Sequence, residues 1–257
     1  MSSLKAFSYQ FTTDFNQGIY WKTFPIVMKK FVVEISDGAL LTKIVSEAEV
    51  EWENVVKNKL GKNIDLWNFT SPVSSGGHSG NYIRWSENFA AETGYSALTT
   101  LAVTIRYNAG SFLEHVEIIL NGNRSDLKQN WNQTLKKTIL HEFGHSIGLD
   151  HTDANAVMAA YLGPYSSLQP DDIEGGAQVI AETLHRQEIG YVANIGSNEK
   201  YENNLLGACG TVEIVKDQGP GSSHFWSSIL MGFALIIFLK ISISLVYERV
   251  TRLYLFY

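Results

Sequence analysis

The sequence predicts an α+β fold: a mixed sheet of about five strands with helices packed on it. Three observations carry this. Segments 26–35, 64–69, 81–85, 98–107 and 113–120 are short runs rich in β-branched and aromatic residues. Between them, apolar residues recur at helical spacing from Leu40 to Val56 and again from Leu127 to Leu140. The chain of 257 residues, 45% hydrophobic and 18% charged, is long enough for one folded domain plus appendages.

Residues 1–22 lack a basic start, an apolar core and a small-residue cleavage site, so they contain no signal peptide and read as an N-terminal extension. Ile26 to Ile35 reads as a strand, and Asp37-Gly38 as a turn. Leu40, Leu41, Ile44, Val45, Ala48, Trp52, Val55 and Val56 form the apolar stripe of a helix that Gly61 ends. Glu47, Glu49, Glu51 and Glu53 fall mainly off that stripe and read as solvated. Ile64 to Phe69 is a second strand. Ser71 to Gly80 is a loop in which His78 reads as a solvated histidine. Asn81 to Trp85 is a short strand. Leu98 to Tyr107 and Leu113 to Leu120 form a hairpin around Asn108-Ala109-Gly110-Ser111, with His115 and Glu117 as sheet-face residues. After a polar loop, Asn121 to Asp126, a helix starts near Leu127 and runs through Trp131, Leu135, Ile139 and Leu140, with Lys136 and Lys137 toward water.

That helix leads into His141-Glu142-Phe143-Gly144-His145-Ser146-Ile147-Gly148-Leu149-Asp150-His151, an H-E-x-x-H-x-x-G-x-x-H pattern. His141 and His145 lie one helical turn apart and point the same way, so they can share a metal, with Glu142 beside them. A straight helix offers no third ligand at a suitable angle. Gly148 can take positive φ and turn the chain, so that His151 swings back. Three protein ligands with a fourth position open to water is the catalytic, not the structural, zinc arrangement.

Pro170 with Asp171, Asp172 and Glu174 signals the start of a last helix, which runs to Leu184 or Arg186. The domain is thus expected over 23–186. Residues 187–223, spaced by glycines, read chiefly as linker, with a short strand in Thr211 to Val215. Residues 224–248 are apolar and exceed the ~20 needed to span a bilayer, although Lys240 interrupts them. A buried terminal helix or an interfacial helix are the alternatives. Arg249 and Arg252 in the tail, 249–257, point the C-terminus to the cytoplasm and the preceding domain outside. The net charge of −6 leaves no basic footprint, so no nucleic-acid partner is expected. Cys209, the single cysteine, excludes an intrachain disulfide. Nothing in the sequence fixes an oligomeric state.

The eleven-residue pattern resembles the zinc signature of the metzincin metalloendopeptidases, and its wording is closest to the matrixin branch. Two further segments carry the resemblance. Val157-Met158 stands where a methionine turn would pass beneath the metal, and Leu168-Gln169-Pro170-Asp171-Asp172-Ile173-Glu174-Gly175 is similar to the matrixin L-x-x-D-D-I-x-G. The resemblance is strong from about Leu98 to Leu184. It implies a metzincin-like catalytic domain with a twisted sheet, a small C-terminal subdomain below the cleft, and one catalytic Zn²⁺ on His141, His145 and His151. Glu142 would be the general base, and the substrate a protein or peptide. It also implies that the strand at Leu98–Tyr107 is the sheet edge on which substrate pairs, that Met158 is an apolar floor, and that Asp172 ties the last helix to that floor. Ala159–Tyr165 would line the pocket for the residue after the cut bond. Position 160 is Ala160, not the tyrosine that touches the metal in some metzincins, which fits the matrixin branch. His78 stands without an H-x-D pattern, so neither a second zinc nor calcium is carried over. Cys209-Gly210 lacks the P-R-C-G-type context of the latency cysteine and follows the domain, so it receives no such role. The C-terminal apolar segment would make the protein single-pass, with its protease domain extracytoplasmic, against which the absent signal peptide argues. The reading is a zinc endopeptidase. The alternatives are a membrane-tethered, non-catalytic binding protein of the same fold, and a zinc hydrolase acting on a non-peptide bond.

Overall fold

The computed structural model describes residues 7–30, 38–70, 80–129, 131–194 and 208–212, all within the unit Met1–Ile214. The chain opens with strand Gln10–Phe11 (β1), a helical turn Thr13–Asn16 (α1) and strand Tyr20–Trp21 (β2). Asp14, Phe15, Tyr20 and Trp21 are buried. The expected N-terminal extension, 1–22, therefore supplies part of the domain core, because its aromatic side chains gain by leaving water.

Ile26–Lys30 (β3) leads to the helix Gly38–Val55 (α2), whose last turn continues as a π-helical segment, Val56–Leu60, and ends at Gly61. Leu41, Ile44, Val45, Ala48, Trp52, Val55 and Val56 are all buried, as their 3.6-residue spacing predicts. Two of the glutamates read as solvated do more. Glu51 Oε1 accepts from the Leu168 backbone N–H at 2.7 Å and Glu53 Oε1 from that of Leu66 at 2.9 Å, so both tie loops to α2.

Then come Trp67–Phe69 (β4), Tyr82–Ser86 (β5), a short helix Phe89–Thr93 (α3), and the hairpin Thr100–Ala109 (β6) and Phe112–Asn121 (β7). Ser125–Gln129 (α4), a π-helical turn Trp131–Leu135, and Lys136–Ile147 (α5) follow. Leu149–Asp150 (β8), Pro170–Ile189 (α6) and Ala208–Val212 (β9) complete the described elements.

The main sheet has seven strands, ordered β4-β3-β5-β7-β6-β9, with β2 also on β7. β3 is parallel to β4 and β5, and β7 is parallel to β2 and β5. β6 runs antiparallel to both β7 and β9. The five expected strands are present. The additional two, β2 and β9, come from the segments read as extension and linker. The short strand expected at Thr211 to Val215 stands three residues earlier as β9, and backbone pairing with β7 makes β2 a strand. β9 also covers the strand expected to be the sheet edge.

Helices α2, α5 and α6 pack on one another, and α5 lies on β6. β6 divides its side chains by the period of two. Val103 and Ile105 pack with Phe89 and Ile119 on one face, and Thr104 and Arg106 bond to α5 on the other. Helix α6 runs past the expected boundary at 186. Beyond it the Ala193 N–H donates to Ser111 Oγ at 2.9 Å, which anchors the exit from α6 to the β6–β7 turn. His78 and the membrane span expected at 224–248 lie outside the described residues. Among the described residues no helix is long and apolar enough to cross a membrane.

Candidate metal centre

Helix α5 is held by three buried indoles. Trp52 Nε1 donates to Leu140 O at 3.0 Å, Trp21 Nε1 to Ser146 O at 2.8 Å, and Trp67 Nε1 to Ser146 Oγ at 3.2 Å. Each comes from a different element, so the helix has little freedom to shift or rotate. A site built on such an element is well positioned. The close packing explains Gly144: a Cβ there would collide with Met158 Sδ. Met158 is 2% exposed and packs against this helix at Gly144.

Gly148 caps α5 at φ +117°, in the left-handed region that glycine enters without a Cβ clash. Its carbonyl accepts the Thr12 N–H at 2.9 Å, and β8 then pairs antiparallel with β1. This turn returns the chain toward α5. His141 Nε2 lies 2.9 Å from His145 Nε2 and 3.2 Å from His151 Nε2, and the ligand atoms of all three lie within 4.8 Å of one another. The structure thus brings together the three histidines that the spacing singled out.

Their tautomers are fixed by carbonyls, which can only accept. His141 Nδ1 donates to Val157 O and His145 Nδ1 to Leu149 O, both at 2.7 Å. Both Nε2 atoms therefore carry bare lone pairs, directed at each other across 2.9 Å. Two such lone pairs repel unless a cation lies between them. Around a tetrahedral ion with ~2.0–2.1 Å bonds, nitrogens stand ~3.3 Å apart, close to the spacing here. The residues fit zinc.

Burial also suits them to a metal, since it favours neutral imidazole. Desolvation, with the nearby His151 ring, pushes His141 down to about 3, and desolvation lowers His145 well below the usual range. His151 is lowered too, mainly by burial. The unfolded chain binds protons on these rings below pH ~6.5 and the folded chain does not, so stability is lost as pH falls. For the metal-free protein, urea titrations from pH 7 downward should show stability falling through the ordinary histidine range, because His141 and His145 take up protons only on unfolding. A stability that stays flat over this range would contradict the buried, neutral triad.

Glu142 is fully buried. The Thr104 hydroxyl donates to its Oε2 at 2.6 Å. Two places along β6, Arg106 Nη1 donates to His145 O at 3.0 Å, while its Nε and Nη2 grip Asp14 of α1 at 2.9 and 2.8 Å. Sequence reading did not single out Thr104, Arg106 or Asp14. The available signal was the alternation of Thr104 and Arg106 with Val103 and Ile105 along one strand.

Below the triad, Asp172 Oδ2 accepts from the Val157 and Gln169 N–H groups at 2.9 and 2.7 Å, and Oδ1 from that of Met158 at 2.9 Å. It ties the start of α6 to the methionine turn, as expected. His115 is stacked on Tyr107, 4.1 Å between ring centroids, and lies 3.9 Å from Glu117, so both serve the sheet face. In the segment expected to line a pocket, Leu162 and Tyr165 pack on the core, Tyr161 is exposed, and Lys137 Nζ donates to Gly163 O at 3.0 Å.

Among curated proteins none matches the chain. A family model described as matrixin matches residues 44–180, more than half of the chain. The match runs from α2 into α6 and so takes in the histidine triad, the turn at Met158 and the Asp172 tie together. An unrelated helix that carried a chance histidine pair would not bring these surroundings with it, and the protein belongs to the matrixin family of zinc metalloproteases.

Proposed function

We propose that the protein is a zinc-dependent endopeptidase in which His141, His145 and His151 hold one ion and Glu142 is the general base. The observation that carries this is the convergence of bare Nε2 atoms on a helix that also presents Glu142, with Thr104 fixing the carboxylate. When bound, zinc polarises the scissile carbonyl and makes water acidic enough to be deprotonated near neutral pH. Glu142 takes the proton from the attacking water and passes it to the leaving amine, so no covalent enzyme intermediate forms. Ala159–Tyr165 is the wall that receives the side chain after the cut bond.

In this reading Thr104 is a positioning residue, since its hydroxyl donates to Glu142 Oε2 and aims the carboxylate. Thr104→Val keeps the shape and removes that bond. It should lower kcat about tenfold, the effect of a ~1.5 kcal/mol bond to a charged group, with KM and zinc content unchanged. Thr104→Ser should restore most of the rate. A fall in zinc content instead would mean that Thr104 acts through the metal site.

The reading is tested by incubating the full chain, with its metal content measured, with a mixed peptide library. One zinc per chain and internal cleavage of peptides supports it. Zinc without cleavage of any peptide, both in this chain and in one whose β6–β9 pairing is broken by proline, would overturn it and favour the non-catalytic binding protein.

A further inference from the structure

A substrate that binds by strand addition needs a free sheet edge. β6 is the strand that reaches the centre, through Thr104 to the Glu142 carboxylate and through Arg106 to His145 O. An extended peptide added to its outer edge would therefore run past the general base. That edge is taken. β9 pairs antiparallel along it, with Ile105 opposite Ala208, Thr104 opposite Cys209, Val103 opposite Gly210, Ala102 opposite Thr211 and, after a register shift, Thr100 opposite Val212. The β9 backbone also comes close to α5.

The connection favours this placement. Ala193 is fastened to Ser111, in the turn that follows β6, by paired bonds of 2.9 and 3.3 Å. Fifteen positions later Ala208 begins β9 opposite Ile105, six positions before Ser111 on the same hairpin. A segment tethered so close holds its place at high effective concentration against free peptides.

We infer that residues 208–212 are a built-in competitor for the substrate edge, so that the protein as folded excludes extended peptides until β9 leaves. This rests on the endopeptidase reading for its consequence, and on the β6–β9 pairing alone for its geometry. No thiol chemistry is needed, because the competition is between backbones.

The test uses the full chain. Cys209→Pro/Gly210→Pro places prolines at two successive residues, whose N–H groups point in opposite directions, so a ladder donor is lost whichever of them faces β6. Cys209→Ala is the control that keeps the strand. The probe is a fluorescent peptide of the 206–214 sequence, and it is titrated into zinc-loaded protein carrying Glu142→Gln to prevent turnover. The double-proline protein should bind it about tenfold more tightly than its parent, and amides of residues 100–106 should exchange faster in it when the peptide is absent. The Cys209→Ala protein should match the parent in both. Equal peptide affinity in parent and double-proline protein would overturn the inference, as would tighter binding by Cys209→Ala, which would assign the effect to the thiol. Cleavage of the wild-type chain within 206–214 would overturn it as well, since β9 would then be a substrate. With Glu142 restored, tighter binding without peptide hydrolysis would leave the competitor standing and refute the endopeptidase reading.

Discussion

Glu142→Gln should retain one zinc per chain and lose hydrolysis by ~10²–10⁴-fold, the range that general acid–base catalysis contributes. The amide matches the carboxylate in size, and its oxygen can still accept the Thr104 hydroxyl that lies 2.6 Å from Oε2. The triad is untouched, because the tautomers of His141 and His145 are set by Val157 O and Leu149 O and not by Glu142. What the variant lacks is a group that can take a proton. Metal analysis and library hydrolysis, wild type beside variant, separate these effects. A variant that keeps its activity, with contaminating proteases excluded, would remove Glu142 from the mechanism. A variant that loses zinc would show that the carboxylate stabilises the site electrostatically.

The second large effect concerns folding. Asp14→Ala leaves Arg106 buried, 3% exposed in its side chain, and without its carboxylate. All three guanidinium nitrogens are engaged, two with Asp14 and one with His145 O. Removing one partner of a buried pair costs about 3–5 kcal/mol, because the remaining charge stays desolvated. Urea unfolding should show that loss, and Asp14→Leu combined with Arg106→Met should recover most of it by replacing both charges with apolar volume. A loss below about 1 kcal/mol for Asp14→Ala would mean that water or a rearranged partner reaches Arg106. Since Arg106 also holds the backbone of His145, the unfolding midpoint of Asp14→Ala should still rise when zinc is added, by linkage.

The histidine triad was legible because its geometry is local. The i, i+4 spacing places His141 and His145 on one face, and a glycine at 148 lets the chain reverse within three residues, so eleven positions contain the whole arrangement. The helix at Leu41–Val56 was legible for a similar reason, its stripe being written in successive turns and buried as a unit. Met158 and Asp172 were located through family resemblance, and the structure supplies their contacts: Met158 against Gly144, and Asp172 on three backbone N–H groups.

Other features depend on partners that sequence spacing does not reveal. Arg106 and Asp14 are 92 positions apart, Thr104 and Glu142 are 38 apart, and β9 finds β6 across the whole of α5 and α6. The short strand read at Thr211 to Val215 stands at Ala208–Val212, and no spacing in the sequence announces β6 as its partner. Residues 1–22 read as an appendage for the same reason, although β1, α1 and β2 brace β8, Arg106 and β7. The histidine triad was therefore encoded in one helical turn and a glycine, whereas the Thr104 bond to Glu142, the bracing of α5 and the pairing of β9 with β6 arise only when distant backbone and buried charge are satisfied together. Periodicity reports which face of an element leaves water, and it carries no information about which distant donor will meet which acceptor once that face is buried.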